Sequence, residues 1–480
     1  MSSKLKLAGF FLSHPLKSIA NLKLSKISQL VRALRNEPPE LVYQNVKNHF
    51  LYKQNSVFNS AKSNNCKVQE LEAKYPGITA PVGIANAYAL ESKFHPIPSI
   101  IEENATVRVN VLLPQLDPSI MFGGYISCFQ FIAALVSAGN KVRILICESP
   151  EFDQTAVLAK LANDEYLHNA LSQCEYENVT SKSNKLVISK DDSFIAYSFW
   201  TGILAHKLAK TIDKKFIFFI QEYEPIFHSQ DSFHAIGDYV YSLPHYAIFN
   251  TVILRDFFKQ SRIGVFEDSE QQGLDNSCFF QHALTKTLVP TLEELNSRSK
   301  KRFLFYGRPE NHAKRNLFEI ALIGLKTAVF NGVFDEGEWE FVGVGTLGTE
   351  HEIELGHGHI LKLISKMSHA DYAKALSGFD VGLSLMYAPH PSILPFEMSS
   401  SGIVTVTNTY GGRDEKLLKS ISGNLVPCKS NIDSLAQALK IAVSQMEDKE
   451  QRIKHANIDW VNDWQDSFNK NVMAEINSFL

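Results

Sequence analysis

From Thr106 onward, short and almost continuously apolar runs alternate with longer stretches of helical period, and turn residues fall between them. Val107 to Leu113 (VRVNVLL) reads as a strand, Gly123-Gly124 as a loop, Tyr125 to Ala138 as a helix closed by Gly139, and Val142 to Cys147 as a second strand. The same punctuation continues. Ser193 to Tyr197 reads as a strand, Trp200 to Ala209 as a helix, and Phe216 to Gln221 and Tyr246 to Asn250 as strands, the last before a helix at Leu254. Repeated β-α-β units predict a parallel sheet with both faces covered and ligands at the carboxyl ends of its strands.

A polar, charged linker at about Glu267 to Ser299 then precedes a second set of units. Strands are expected at Arg302 to Tyr306, Trp339 to Val344, Val381 to Leu385 and Val404 to Thr407, with helices at Asn316 to Val329, His369 to Ser377 and Pro395 to Ser400. The chain therefore reads as α/β, with two facing Rossmann-like domains and a cleft between them. An N-terminal helical extension occupies 1–100, the first domain 101–290, the second 300–455 and a C-terminal segment 456–480. In that last segment Trp460, Trp464 and Phe468 recur at helical spacing, which predicts a packing stripe.

Composition narrows the class. The chain has 480 residues, 45% of them apolar, enough for two or three domains at roughly 100–200 residues each. A formal charge of -3 supplies no global field for nucleic acid. Six cysteines stand singly, with neither a disulfide framework nor zinc-ligand spacing, which points to a reducing cytosol. No apolar run approaches the ~20 residues of a membrane span, and Ala8 to Leu12 is interrupted by Ser13, His14 and Pro15, unlike a secretory signal. Lys4, Lys6, Lys17, Lys23, Lys26, Arg32 and Arg35 all precede the first acid, Glu37. Leu22 to Leu34 thus reads as a basic amphipathic helix, suited either to an anionic membrane face or to packing on protein.

Candidate chemistry gathers at the expected strand ends. In FDVGLSLMYAPHPSILPFEMSSSG (Phe379 to Gly402), a strand runs into the turn Pro389-His390-Pro391-Ser392 and then a helix carrying Glu397. The prolines lack amide hydrogens, which leaves the Ser392 and Ile393 amides to face a phosphate at the helix start. Arg308 and Lys314, six residues apart in a loop after a strand, combine a forked and a compact cation against phosphate oxygens. Arg315 is expected to point elsewhere. Gly123-Gly124 allows close backbone approach to a ligand, but differs from the three-glycine dinucleotide fingerprint. Glu222 and Glu224, in QEYEP after a strand, are candidates to orient an acceptor hydroxyl or take its proton, and the sequence does not separate them. His206 and His245 read as structural. Asp191-Asp192 precedes a strand, at the end remote from the cleft, so no metal site is expected.

These residues resemble a known family. Gly123-Gly124, Arg308 with Lys314, and Glu397 before Ser399 to Gly402 are similar to the GT-B glycosyltransferases of family 4. QEYEPIF (Gln221 to Phe227), FYGRP (Phe305 to Pro309), Arg315-Asn316, PHPS with EM (Pro389 to Met398), and Thr407, Asn408 and Tyr410 further resemble dTDP-rhamnose-dependent rhamnosyltransferases of the WsaF type. The resemblance covers about 106–445. It implies retaining, metal-independent transfer of L-rhamnose from dTDP-rhamnose onto a surface glycan or lipid-linked glycan, with the nucleotide sugar as co-substrate and no cofactor. It implies Glu397 as the ribose ligand and a C-terminal helix returning to the first domain. Many family members carry a second glutamate upstream with seven residues between the two, at the position where this chain has Pro389. His390, or the backbone of Pro391 to Ile393, is then expected to serve the donor sugar. The rival expectations are a sugar-nucleotide epimerase of the same design and a non-catalytic glycan-binding or scaffold subunit.

Overall fold

The computed structural model describes residues 87–480 except positions 89, 92, 119–122, 150, 181–183, 347–349 and 366–368. The basic stretch Leu22 to Leu34, and with it the expected membrane-facing helix, lies outside the described residues. Leu90–Leu480 forms one compact unit.

The first half contains β1 (Ser99–Ile101), β2 (Val109–Leu113), β3 (Val142–Ile146), β4 (Glu175–Asn178), β5 (Leu186–Ile188), β6 (Ser193–Ala196), β7 (Phe216–Ile220), β8 (His245–Asn250) and β9 (Ser277–Phe280). β1 and β5 form a small parallel pair, and the others make a seven-stranded parallel sheet in the order β4-β3-β2-β6-β7-β8-β9. Helices cover both faces, which is why β7 can be FIFFI with every residue buried. The helix Phe199–Thr211 starts at a capping box in which Ser198 and Thr201 satisfy each other's amides.

The second half contains β10 (Lys301–Tyr306), β11 (Trp339–Thr346), β12 (His351–Gly356), β13 (His359–Ser365), β14 (Val381–Leu383), β15 (Val404–Asn408) and β16 (Leu425–Cys428). Their order is β12-β13-β11-β10-β14-β15-β16, parallel except for the β12–β13 hairpin. Strand order reverses between β2 and β6 in the first sheet and between β10 and β14 in the second. The crevice outside the carboxyl ends at such a reversal is where open α/β sheets take ligands.

Three expectations change. The polar linker is shorter than its composition implied, because SCFF at Ser277–Phe280 is β9, with Cys278 and Phe280 buried in the first core. The β12–β13 hairpin, half-exposed and charged, carries no strong apolar signal and was not expected. The aromatic stripe near the C-terminus divides. Phe468 packs on Phe280 and Phe131 (centroids 4.7 and 5.7 Å), and Met473 and Ile476 of the helix Lys470–Asn477 join the same core of the first domain. Trp460 instead packs on Phe396 of the second domain and donates its indole N–H to the His282 carbonyl at 2.8 Å. Asp192 is buried on the far side of the first sheet, where it accepts from the Arg108 amide at 2.7 Å and Asn110 Nδ2 at 3.1 Å.

Candidate active site

Loops after β7 and β14 meet in the crevice. Glu222, just past β7, is buried, and its Oε1 accepts from the Tyr223 amide at 3.0 Å and from the His390 amide of the second domain at 3.1 Å. Burial pushes its carboxyl up to about 7; the His390 amide, Arg315, the Tyr223 amide and Arg413 all pull the other way. Near neutral pH it is thus poised to accept a proton. Glu224 turns back into its own domain, where Oε2 accepts from the Phe199 amide at 3.2 Å, and burial pushes it up to about 8. The structure thereby separates the pair that the sequence left joined: β7 ends at Ile220 and Glu224 already opens the tight turn Glu224–Phe227, so the two side chains diverge and Glu222 faces the second domain.

The cations need a correction. Lys314 is exposed on the tight turn Asn311–Asn316. Arg315, expected to point elsewhere, is half-buried with its guanidinium over the Phe227 ring at 4.7 Å and its charge facing Glu222. A delocalised guanidinium tolerates stacking on an aromatic face better than a strongly hydrated ammonium does, so this turn buries the arginine and leaves the lysine in water. Arg308 follows β10 as expected, lies 3.6 Å from the Glu310 carboxylate and hydrogen-bonds Tyr306. Arg413, overlooked in the sequence, is 1% exposed and donates to the carbonyls of Met386 (2.6 Å) and His390 (3.2 Å). Burial draws its guanidinium down to about 10, so it stays charged at neutral pH. Gly411-Gly412 directly before it, after a strand, was the available sequence signal.

Arg413 and Glu222 together hold the Pro389-to-Ser392 turn. Within it the Ser392 amide donates to His390 Nδ1 at 3.2 Å, with Ser392 in the left-handed region at φ 59°. The Ser392 amide is therefore engaged by the histidine rather than open to an anion, a second correction. Because Nδ1 accepts, the neutral ring carries its hydrogen on Nε2, which is buried and has no partner among the described residues. Burial first, then His282, Arg413 and Arg315, holds the imidazole well below its usual range and so neutral. Pro391 is buried, and the Ile393 side chain packs with Ile253, Leu284, Phe396 and Trp460.

Glu397, expected to face the cleft, is 1% exposed; its Oε1 accepts from the Thr285 amide at 3.0 Å. The segment between the domains crosses over its helix, Leu394–Ser400, and closes it from solvent, and burial pushes the carboxyl up to about 7. Gly124 also has a different reason from the one expected. A Cβ there would lie 2.9 Å from the Tyr197 hydroxyl and 3.6 Å from Gln221 Nε2, so glycine makes room for protein, whereas a Cβ at Gly123 meets nothing within 4 Å. Gln221 donates to the Gly124 carbonyl (2.6 Å) and accepts from Ser127 (2.6 Å) and Asn250 (3.2 Å). Asn250 in turn bonds His282 Nδ1 at 3.1 Å, and the His282 ring lies 6.4 Å from His390. Gln221, quoted in the sequence only as the start of QEYEPIF, and Asn250 and His282, given no role there, thus link the first domain to the turn. Among the described residues no group of three or more metal-ligating side chains occurs, and no helix is long and apolar enough to cross a membrane.

Two doubly wound domains meeting at the carboxyl ends of their sheets define the GT-B fold. Residues 108–252 match the family described as WsaF, N-terminal domain, and residues 301–440 match WsaF, C-terminal domain. The chain belongs to the WsaF family. It is 31% identical over 197 residues to the O-antigen biosynthesis protein RfbC of Myxococcus xanthus, a match covering 40% of this chain and 14% of that much longer protein. Among solved structures it is similar to HepE of Anabaena in complex with UDP and glucose (TM-score 0.51, 11% identity, 78% of this chain and 100% of that one). It is also similar to a TarM variant of S. aureus in complex with Fondaparinux, alpha-GlcNAc-glycerol and UDP (TM-score 0.53, 10% identity, 78% of this chain and 99% of that one).

Proposed function

We propose that this chain is a glycosyltransferase of surface-polysaccharide synthesis that moves L-rhamnose from dTDP-rhamnose to a glycan or lipid-linked glycan, with retention and without a metal or other cofactor. The observation that carries the reading is the meeting of Glu222 with the His390 amide under Arg315 and Arg413, at the carboxyl ends of both sheets. A departing nucleoside diphosphate needs fixed positive charge where its oxygens gain electrons. Arg315 and Arg308 supply it, and exposed Lys314 adds attraction for the approaching anion. Glu222 orients the acceptor hydroxyl and takes its proton. His390 Nε2–H donates to the sugar in place of the family's missing carboxylate, Gly123 leaves space for the donor, and Glu397 reaches the ribose once the Thr285 segment yields. The nucleotide and glycan in the HepE and TarM complexes support a nucleotide-sugar donor, and the RfbC likeness supports a polysaccharide acceptor. A cytosolic chain whose basic N-terminal stretch rests on the inner membrane face would meet a lipid-linked acceptor there.

The test is incubation of the purified chain with dTDP-rhamnose or UDP-sugars, with and without host polysaccharide and with a chelator present. Transfer selective for dTDP-rhamnose and unaffected by the chelator is expected. Conversion of the donor to an epimer, or neither binding nor turnover of any nucleotide sugar, overturns the reading.

A further inference from the structure

Four aromatic side chains frame the crevice from both domains. Phe227, just after Glu222 and Glu224, is 46% exposed, and Tyr387, just after β14, is 53% exposed. Tyr387 meets Tyr410 edge-on, with centroids 4.9 Å apart at 80°, and Tyr410 approaches Phe257 of the first domain at 6.5 Å. The frame is joined to the charged centre. Arg315 lies over Phe227 and accepts the Tyr387 amide on its carbonyl at 2.7 Å, while Tyr410 faces Glu222 and Arg413. Phe227 and Tyr387, large rings left in water next to a site, are costly to solvate and mark binding surface, with Tyr410 and Phe257 half-buried beside them.

A pyranose suits such a surface. One face of the ring presents C–H groups to an aromatic plane, and its rim of hydroxyls reaches the phenols and charges alongside. We infer that Tyr387 and Tyr410, with Phe227 and Phe257 opposite, form a saccharide subsite that seats the acceptor sugar against Glu222. The inference rests on the reading of the crevice as a sugar-transfer site and adds the residues that choose the acceptor. A nucleobase also stacks on aromatic rings. The saccharide is favoured because the frame adjoins Glu222, the carboxylate of the first domain, and because two phenols rather than bare rings line it.

Saturation-transfer NMR on the full chain tests this, with methyl α-L-rhamnopyranoside and an oligosaccharide released from host polysaccharide as probes. In the wild type the probe resonances should saturate and should remain when dTDP is added. Tyr387→Ala should weaken saccharide binding about 5- to 10-fold, Tyr387→Trp should restore it, and Phe330→Ala, at a 66% exposed ring packed near His357, should not change it. Equal binding in wild type and Tyr387→Ala, absence of binding in the wild type, or loss of the saccharide signal on addition of dTDP overturns the inference. A parallel thermal-shift titration with dTDP-rhamnose separates the two readings. A shift without saccharide binding rejects the subsite alone, and saccharide binding without any nucleotide-sugar shift rejects the transferase alone.

Discussion

The two halves of this molecule share a doubly wound design yet bring opposite charge to the crevice. The first contributes Glu222, backed by Gln221, Asn250 and Ser127; the second contributes Arg315 and Arg413 around the His390 turn, with Arg308 beside Arg315. Neither arrangement suits a domain alone. A buried carboxylate without partners, or a buried guanidinium facing only carbonyls, is costly in a low dielectric, and each half relieves the other. The lesson is that this charged centre is a property of the contact between the domains.

The sharpest way to break this comparison is to remove the cation that meets Glu222. Arg315→Ala should lower the rate of transfer about 100- to 1,000-fold with the fold intact, whereas Lys314→Ala should change it only a few-fold. Side-by-side steady-state kinetics decide, and a reversed order would return the role to the lysine. Arg413→Met comes next. It leaves the Met386 and His390 carbonyls without their guanidinium and Glu222 without one of its charges, so a loss of about 2–4 kcal/mol is expected by denaturant titration. An unchanged midpoint would mean that the turn stands without Arg413.

On the first domain's side, Gly124→Ala should destabilise by about 1–3 kcal/mol, because the methyl meets Tyr197 and Gln221. Gly123→Ala should leave stability unchanged or raised and act only through the ligand, as a weaker thermal shift with dTDP-rhamnose.

The smallest effect is a pH slope. Glu397 is held above the ordinary carboxylate range, at about 7, so the folded state binds its proton more tightly than the unfolded chain. That contribution is fully present below pH ~4.5 and is lost as pH rises through ~7. Wild type should therefore lose stability relative to Glu397→Gln between pH 5 and 8, by up to about 1–3 kcal/mol. Parallel melting curves for the two proteins would sink the assignment of that carboxyl.

Legibility differed between fold and site for the same reason. The alternation that marked β2, β3, β7, β10 and β15 is local, since a strand covered on both faces must be apolar throughout. The half-exposed β12–β13 hairpin and the short β9 escaped because burial by distant segments, not their own pattern, keeps them in place. At the site the loops after β7, β10 and β14 were legible as strand ends. The facing of the side chains in them was not: Lys314 and Arg315 are neighbours on one turn, as are Glu222 and Glu224 past one strand, and composition treats each pair as equals.

By itself the sequence determined the parallel α/β architecture, the repeat of that architecture, and the loops where chemistry gathers, because hydrophobic period and turn residues act over a few positions. Only the tertiary structure decided that Arg315 and Glu222 face one another, that Arg413 braces the His390 turn, that Glu397 lies under Thr285, and that Gly124 yields space to Tyr197. Those outcomes depend on which charges and rings distant segments of the chain bring together, and burial among them sets both direction and protonation.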